Sequence, residues 1–208
     1  MSFSDLTFLF YFLPLFFAVY YIVPFRFKNT VLVLGSAAFY FLGAGVRDCV
    51  LLGASVVLHY ALARGMEGRT VRARRALLVF GLCVDLFGLV YFKYAAFLLE
   101  NLGKLTGTAF SLVELALPLG ISFYLFQSVG YLIDVSRGRP AEKSFVDFSA
   151  FVLAFPQLTM GPILRYDEWR GALKSRTIAR EDIFLGFECF AVGLCFKVLL
   201  ADQLAPLW

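Results

Sequence analysis

Chemistry in this chain starts from a few polar residues set in apolar sequence. Asp85 lies in the middle of the apolar stretch Ala76–Leu99, and Lys93 is eight positions on. That spacing is not the i,i+4 neighbourhood of a helix, so the two do not pair along it. Lys93 sits nearer the far end and snorkels. For Asp85 two readings stand: an interhelical hydrogen bond, or a functional group. His59 is the only imidazole. It reads as a packed or hydrogen-bonded helix histidine beside Tyr60 ahead of a catalytic base, because no motif surrounds it. Cys49, Cys83, Cys189 and Cys195 form no CxxC pair and no metal spacing with His59, so they read as small apolar side chains.

The densest polar content falls in two runs. Leu117–Gln127 continues to Tyr131 and Asp134, and its Ser122, Gln127 and Tyr131 recur near helical spacing. Pro118 and Gly120 loosen the start of that helix. Phe155–Tyr166 carries Gln157, Thr159 and Arg165 around Pro156 and the Gly161-Pro162 step. Helix packing through small and polar residues is one reading of both runs. A polar passage through a membrane is the other. No Ser-His-Asp arrangement, phosphate loop or metal cluster is visible.

The elements that position these residues are greasy. Apolar residues make up 61% of the 208, with 25 Phe and 10 Tyr, and charged residues only 16%. An ordinary globular chain has about 45–50% and about 25%. Mean hydropathy is +0.80. A soluble core of this size could not hide that much apolar surface, so the chain reads as an all-α, polytopic integral membrane bundle. Six spans are expected: Leu6–Val23, Val31–Ala44, Cys49–Ala63, Ala76–Leu99, Leu112–Val135 and Ile183–Ala205. The first is expected to stay in the mature protein, since Asp5 rather than a basic residue precedes it and no cleavage site follows.

Phe145–Leu164 behaves differently. Its prolines remove backbone donors and push their neighbours from helical geometry. Such backbone survives at membrane depth only when buried in protein or lining a cavity. The net charge of +4 reports topology before any nucleic acid, which the basic runs, lacking interleaved aromatics, do not suit. With Arg64–Arg75 in the cytoplasm, Arg26 and Lys28 join them, and Glu100–Thr108 lies outside. A full crossing by Phe145–Leu164 would put Arg165, Arg170, Lys174, Arg176 and Arg180 outside, against the positive-inside rule. A re-entrant segment keeps them in.

Three blocks then carry a resemblance: LPLGISFYLFQSVGYLIDVSRG at 117–138, FVLAFPQLTMGPILRY at 151–166 and GLCFKVLLADQLA at 193–205. Together they resemble the membrane-bound O-acyltransferase family, in the branch that contains the alginate O-acetyltransferases. YFKYAAFLLENL at 91–102 and FLFYFLPLFFAVYY at 8–21 are similar to that branch as well. The resemblance implies an acyltransferase of the bacterial inner membrane. Its co-substrate is an acyl thioester (acetyl-CoA or an acyl carrier) on the cytoplasmic side. Its acceptor is a polysaccharide at the outer face, with a separate outer-face acetyltransferase as partner. No bound cofactor and no metal are implied. Gln127, Gln157, Arg165 and Tyr166 are the expected lining of the tunnel and its cytoplasmic mouth, with Arg165 also a candidate topology anchor. The family's essential histidine lies in its later half. No residue here matches it, so residues 1–208 read as the amino-terminal part of one domain, without turnover alone. Phe196-Lys197 stands where the family often has two lysines. A transporter half and a noncatalytic scaffold are the alternatives.

Overall fold

The computed structural model describes residues 3–106, 116–158, 161–162, 164–176 and 179–205, and every regular element among them is helical. Three stretches are long and apolar enough to cross a membrane: Phe25–Met66, Val71–Leu102 and Glu181–Leu204. A shorter apolar helix, Phe8–Ile22, precedes them. It begins with a π-wound turn, Phe8–Phe12, and continues as α1, Leu13–Ile22. Pro14 lies where the π-wound turn passes into α1. Pro24 follows its end.

Next comes α2, Lys28–Met66, which is broken inside by Gly45 at φ 82° and ψ −178°. Only glycine adopts that backbone freely. The expected spans Val31–Ala44 and Cys49–Ala63 are therefore the two legs of this element, separated at Gly45. The hinge at Gly45 falls between the two expected spans, and Arg47 and Asp48 continue the helix beyond it. The hinge reverses the chain. Asn29 donates to Asp147 Oδ1 at 2.7 Å, and Tyr60 donates to the carbonyl of Lys143 at 2.6 Å. A straight helix would hold Asn29 and Tyr60 about 46 Å apart, yet their partners are four residues apart. At the other end Tyr40 and Asp48 both hold Leu119: Tyr40 donates to its carbonyl at 2.6 Å, and its N–H donates to Asp48 Oδ2 at 3.1 Å.

Thr70 caps α3, Val71–Leu89, by accepting from the N–H of Ala73. A π-wound turn, Val90–Tyr94, leads into α4, Ala95–Thr106. The expected span Leu112–Val135 is helical only as α5, Ile121–Ser136; Pro118 and left-handed Gly120 (φ 69°) delay its start. Residues 112–115 lie outside the described residues. The core is built where α5, α3, α6 and both legs of α2 meet, around Leu52, Val56, Leu132, Phe148 and Phe151.

Phe145–Leu164 is broken, as its prolines require. Ser144 caps α6, Phe145–Leu153, accepting from Asp147 N–H at 3.1 Å. Ala154 leaves helical geometry, and a single turn, α7 (Phe155–Leu158), follows. The freed N–H of Phe155 donates to Ser36 Oγ at 3.1 Å, and its ring joins a cluster with Phe8 and Phe39. The chain then returns to α8, Tyr166–Lys174. Tyr166 lies against Phe151 and Tyr131, each with ring centroids 5.2 Å apart. The last long helix is α9, Arg180–Phe196, continued by π-wound Lys197–Ala201 and the short α10, Asp202–Leu204.

One end of the molecule collects the basic residues. Arg139 pairs with Asp167 at 3.0 Å, and Lys174 with Glu142 at 2.9 Å. Arg176 bonds Tyr20 and Asn29. Gly138 lies against Arg74. Four charge runs distant in sequence are thus neighbours in space.

Candidate functional site

The two polar runs meet at that basic end, and the residue that joins them is one the sequence did not single out. Glu142 is 4% exposed. Its Oε1 accepts from the N–H groups of Lys143 at 2.9 Å and Ser144 at 3.1 Å. Its Oε2 accepts from the Tyr166 hydroxyl at 2.6 Å and from Lys174 Nζ at 2.9 Å. Arg170 Nε stands 4.0 Å away. The N–H of Glu142 donates to the Tyr131 hydroxyl at 2.8 Å. Burial pushes the carboxyl up, but the hydrogen bonds from Tyr166, Lys174 and Ser144 outweigh it and hold it at about 2. The Tyr166 hydroxyl is pushed up by burial and by its bond to that carboxylate. One carboxylate therefore fastens both ends of the broken segment, before Phe145 and after Arg165.

The four expected lining residues divide. Gln127 is buried and donates to the carbonyl of Phe151 at 2.8 Å, clasping α5 to α6. Tyr166 is buried in the Glu142 knot. Arg165 is exposed just before α8, at the basic end. Gln157 lies across the break, half-buried, and its Oε1 is buried with no hydrogen-bond partner among the described residues. Gly161 seats its backbone on Gln157: its N–H donates to the Gln157 carbonyl at 3.0 Å. Thr159 lies outside the described residues. So Gln127, Tyr131 and Tyr166 come together around Phe151, while Gln157 stands apart from them.

Beside the break opens a cavity of about 670 Å³ between α1, α7 and α9. Phe8, Phe17, Phe155, Pro156 and Phe187 wall it, and Lys197 stands at one end. Lys197 Nζ bonds both Asp202 carboxylate oxygens at 2.7 Å and Ser4 Oγ at 3.1 Å. Among the described residues no three His, Cys, Asp or Glu side chains gather as a metal site would need.

Sequence reasoning also missed the partner of Asp85, which is His59, with Nε2 2.9 Å from Oδ2. The two lie 26 residues apart on different helices, and no periodicity along one helix could have paired them. For Glu142 the nearest signal was the Ser144–Asp147 capping pattern, which marks a helix start but not a buried carboxylate in front of it.

Along its whole length the chain is similar to proteins named probable alginate O-acetylase. The Azotobacter vinelandii protein is 39% identical over 220 residues, covering 100% of this chain and 43% of that protein. The Pseudomonas aeruginosa protein is 41% identical over 216 residues, covering 100% of this chain and 41% of that protein. A peptidoglycan O-acetyltransferase from Helicobacter pylori is 32% identical over 239 residues, covering 99% of this chain and 45% of that protein. The chain thus spans less than half the length of the relatives it matches. No family model and no solved structure matches it. The three motif blocks at 117–138, 151–166 and 193–205 lie inside that end-to-end similarity, which fits the resemblance to the membrane-bound O-acyltransferases.

Proposed function

We propose that this protein serves in the O-acetylation of an exported polysaccharide, alginate or a similar polymer, in the bacterial inner membrane. The observation that carries this reading is the 39–41% identity, along the entire chain, to proteins named alginate O-acetylase. The same similarity disfavours the transporter and scaffold alternatives. In the reaction an acceptor hydroxyl oxygen forms an ester bond to the acyl carbon as the C–S bond of a thioester breaks, and the hydroxyl proton ends on the released thiol. The donor, acetyl-CoA or an acyl carrier, approaches from the cytoplasm, and the acceptor from the outer face with a separate acetyltransferase as partner. Residues 1–208 supply one portion of the transfer domain, and the family's essential histidine belongs to the remainder.

Six spans and a re-entrant Phe145–Leu164 complete the reading. Its nine-residue helix, Phe145–Leu153, rises only about 14 Å, half of a hydrocarbon core of about 30 Å. The return of Tyr166 and Lys174 to Glu142 supports the same reading. Gln127, Gln157, Arg165 and Tyr166 remain the proposed lining. The unpartnered Oε1 of Gln157 suits a passage that admits a hydroxyl donor.

Two measurements test these proposals. Deleting the gene that carries this chain is expected to abolish base-labile acetyl esters on the exported polymer, and the intact gene is expected to restore them. Unchanged ester content in the deletion strain overturns the function. For topology, single cysteines replace Arg69, Asn101 or Arg170 in protein lacking Cys49, Cys83, Cys189 and Cys195. A membrane-impermeant maleimide is expected to label position 101 in intact cells, and positions 69 and 170 only after permeabilisation. Labelling of position 170 from outside rules out the re-entrant segment.

A further inference from the structure

A buried histidine–aspartate pair takes no part in the reaction proposed above. His59 has no exposure and Asp85 is 5% exposed. They join the second leg of α2 to α3 near its C-terminal end. Nδ1 of the ring lies 2.7 Å from the carbonyl of Ser55, one turn back. Ser55 Oγ lies 3.3 Å from the same nitrogen, but the carbonyl is the nearer partner and only accepts, so the 2.7 Å contact assigns a proton to Nδ1. Nε2, 2.9 Å from Asp85 Oδ2, then has two choices. It accepts from an un-ionised carboxyl, or it carries a second ring proton and donates to a carboxylate. The first choice buries no charge, and the second buries two.

The surroundings favour the first. Oδ1 of Asp85 makes no hydrogen bond among the described residues. Asp85 borders a cavity of about 200 Å³ between α2, α3 and α5, walled by Leu51, Leu58, Phe92, Ile121, Tyr124 and Leu125. Of all residues lining that cavity only Asp85 and Tyr124 are titratable, and none is cationic. From α2 the groups on the pair are the ring itself and Ser55; α3 adds only Asp85; α5 adds Tyr124. A carboxylate there would turn its open oxygen to hydrocarbon with no cation beyond the imidazole to answer it.

We propose that His59 and Asp85 form an intramembrane proton-binding site, in which Asp85 is an un-ionised acid that donates to His59 Nε2 and turns its carbonyl oxygen toward the cavity. The site's ligand is a proton, and the cavity oxygen is an acceptor for a neutral hydroxylic molecule or water. Moving the proton breaks the O–H bond at Oδ2 and forms an N–H bond at Nε2. The pair stays neutral overall, so a proton can be held at membrane depth without net charge. This assignment stands apart from acyl transfer and survives its failure.

Infrared spectra of the protein in lipid nanodiscs at pH 7, wild type minus Asp85→Asn, test it. The expected result is loss of an un-ionised carboxyl C=O band. Nitrogen-15 spectra of labelled histidine, with His59→Gln as the subtraction control, are expected to place a proton on Nδ1 and none on Nε2. Loss of a carboxylate band instead, or an imidazolium signal, overturns the proposal. Folding gives an independent readout. The side-chain amide introduced by Asp85→Asn still donates an N–H to Nε2. That variant is therefore expected to keep folded yield within twofold, whereas Asp85→Leu lowers it at least fivefold. Equal damage from both variants would mean that the negative charge matters, and it would also overturn the proposal.

Discussion

Glu142→Ala is expected to lower the stability of the protein in detergent or nanodiscs by about 3–5 kcal/mol, the cost of breaking a buried charge-assisted network. For a domain of this size that is a drop of about 10 °C in the unfolding midpoint. The reason is the number of groups stranded at once. The Tyr166 hydroxyl and the N–H groups of Lys143 and Ser144 lose their acceptor together. Lys174, with a side chain 43% exposed, can turn to water and contributes less. The pH dependence has a definite sign. The folded carboxyl is held at about 2, below the 4.5 of a free glutamate. Its stabilisation is therefore fully present above about pH 4.5 and is lost as pH falls through about 2. Between those limits the wild type should weaken more steeply than Glu142→Ala. Parallel acid-unfolding curves for the two proteins would contradict the network. Because the knot also holds Tyr166, one of the proposed lining residues, polymer acetylation in cells carrying the variant gene is expected to fall with stability.

Gly161→Val should also be damaging, by a different route. A Cβ at Gly161 would lie 2.3 Å from the Cα of Gln157 and 2.8 Å from its Cβ. The nearer of these is backbone, so no rotamer change relieves the clash, and the broken segment must open. Overpacking of this kind costs about 1–3 kcal/mol, and here the displaced group is Gln157 itself. The expected outcome is at least a tenfold loss of acetyl esters on the exported polymer, with membrane insertion retained. Gly171→Val is the control, since a Cβ there meets nothing within 4 Å. Equal acetylation in the Gly161 and Gly171 variants would remove the return turn from the proposed passage.

These two effects rest on features of unequal legibility. The break in Phe145–Leu164 is readable, because proline forbids a helical hydrogen bond wherever the chain folds. The same holds for the delayed start of α5 after Pro118 and Gly120. The likeness to O-acyltransferases is readable too, in blocks whose residues follow one another along the chain. The break between Val31–Ala44 and Cys49–Ala63 is readable as well, but its geometry, a reversal at Gly45, is not, since a glycine in apolar sequence does not announce its φ. The Glu142 knot and the His59–Asp85 pair are not readable at all, since each joins residues from separate helices.

Composition and local sterics thus settled that this is a greasy helical protein interrupted at its prolines, because each residue carries those properties in any surroundings. Which polar group meets which was decided by the tertiary structure alone. The reversal at Gly45 brings Asn29 and Tyr60 to the same end, and the crossing of α2 and α3 sets His59 against Asp85. A buried polar atom must find a partner within about 3 Å, and that distance is a property of packed helices, not of spacing along a chain.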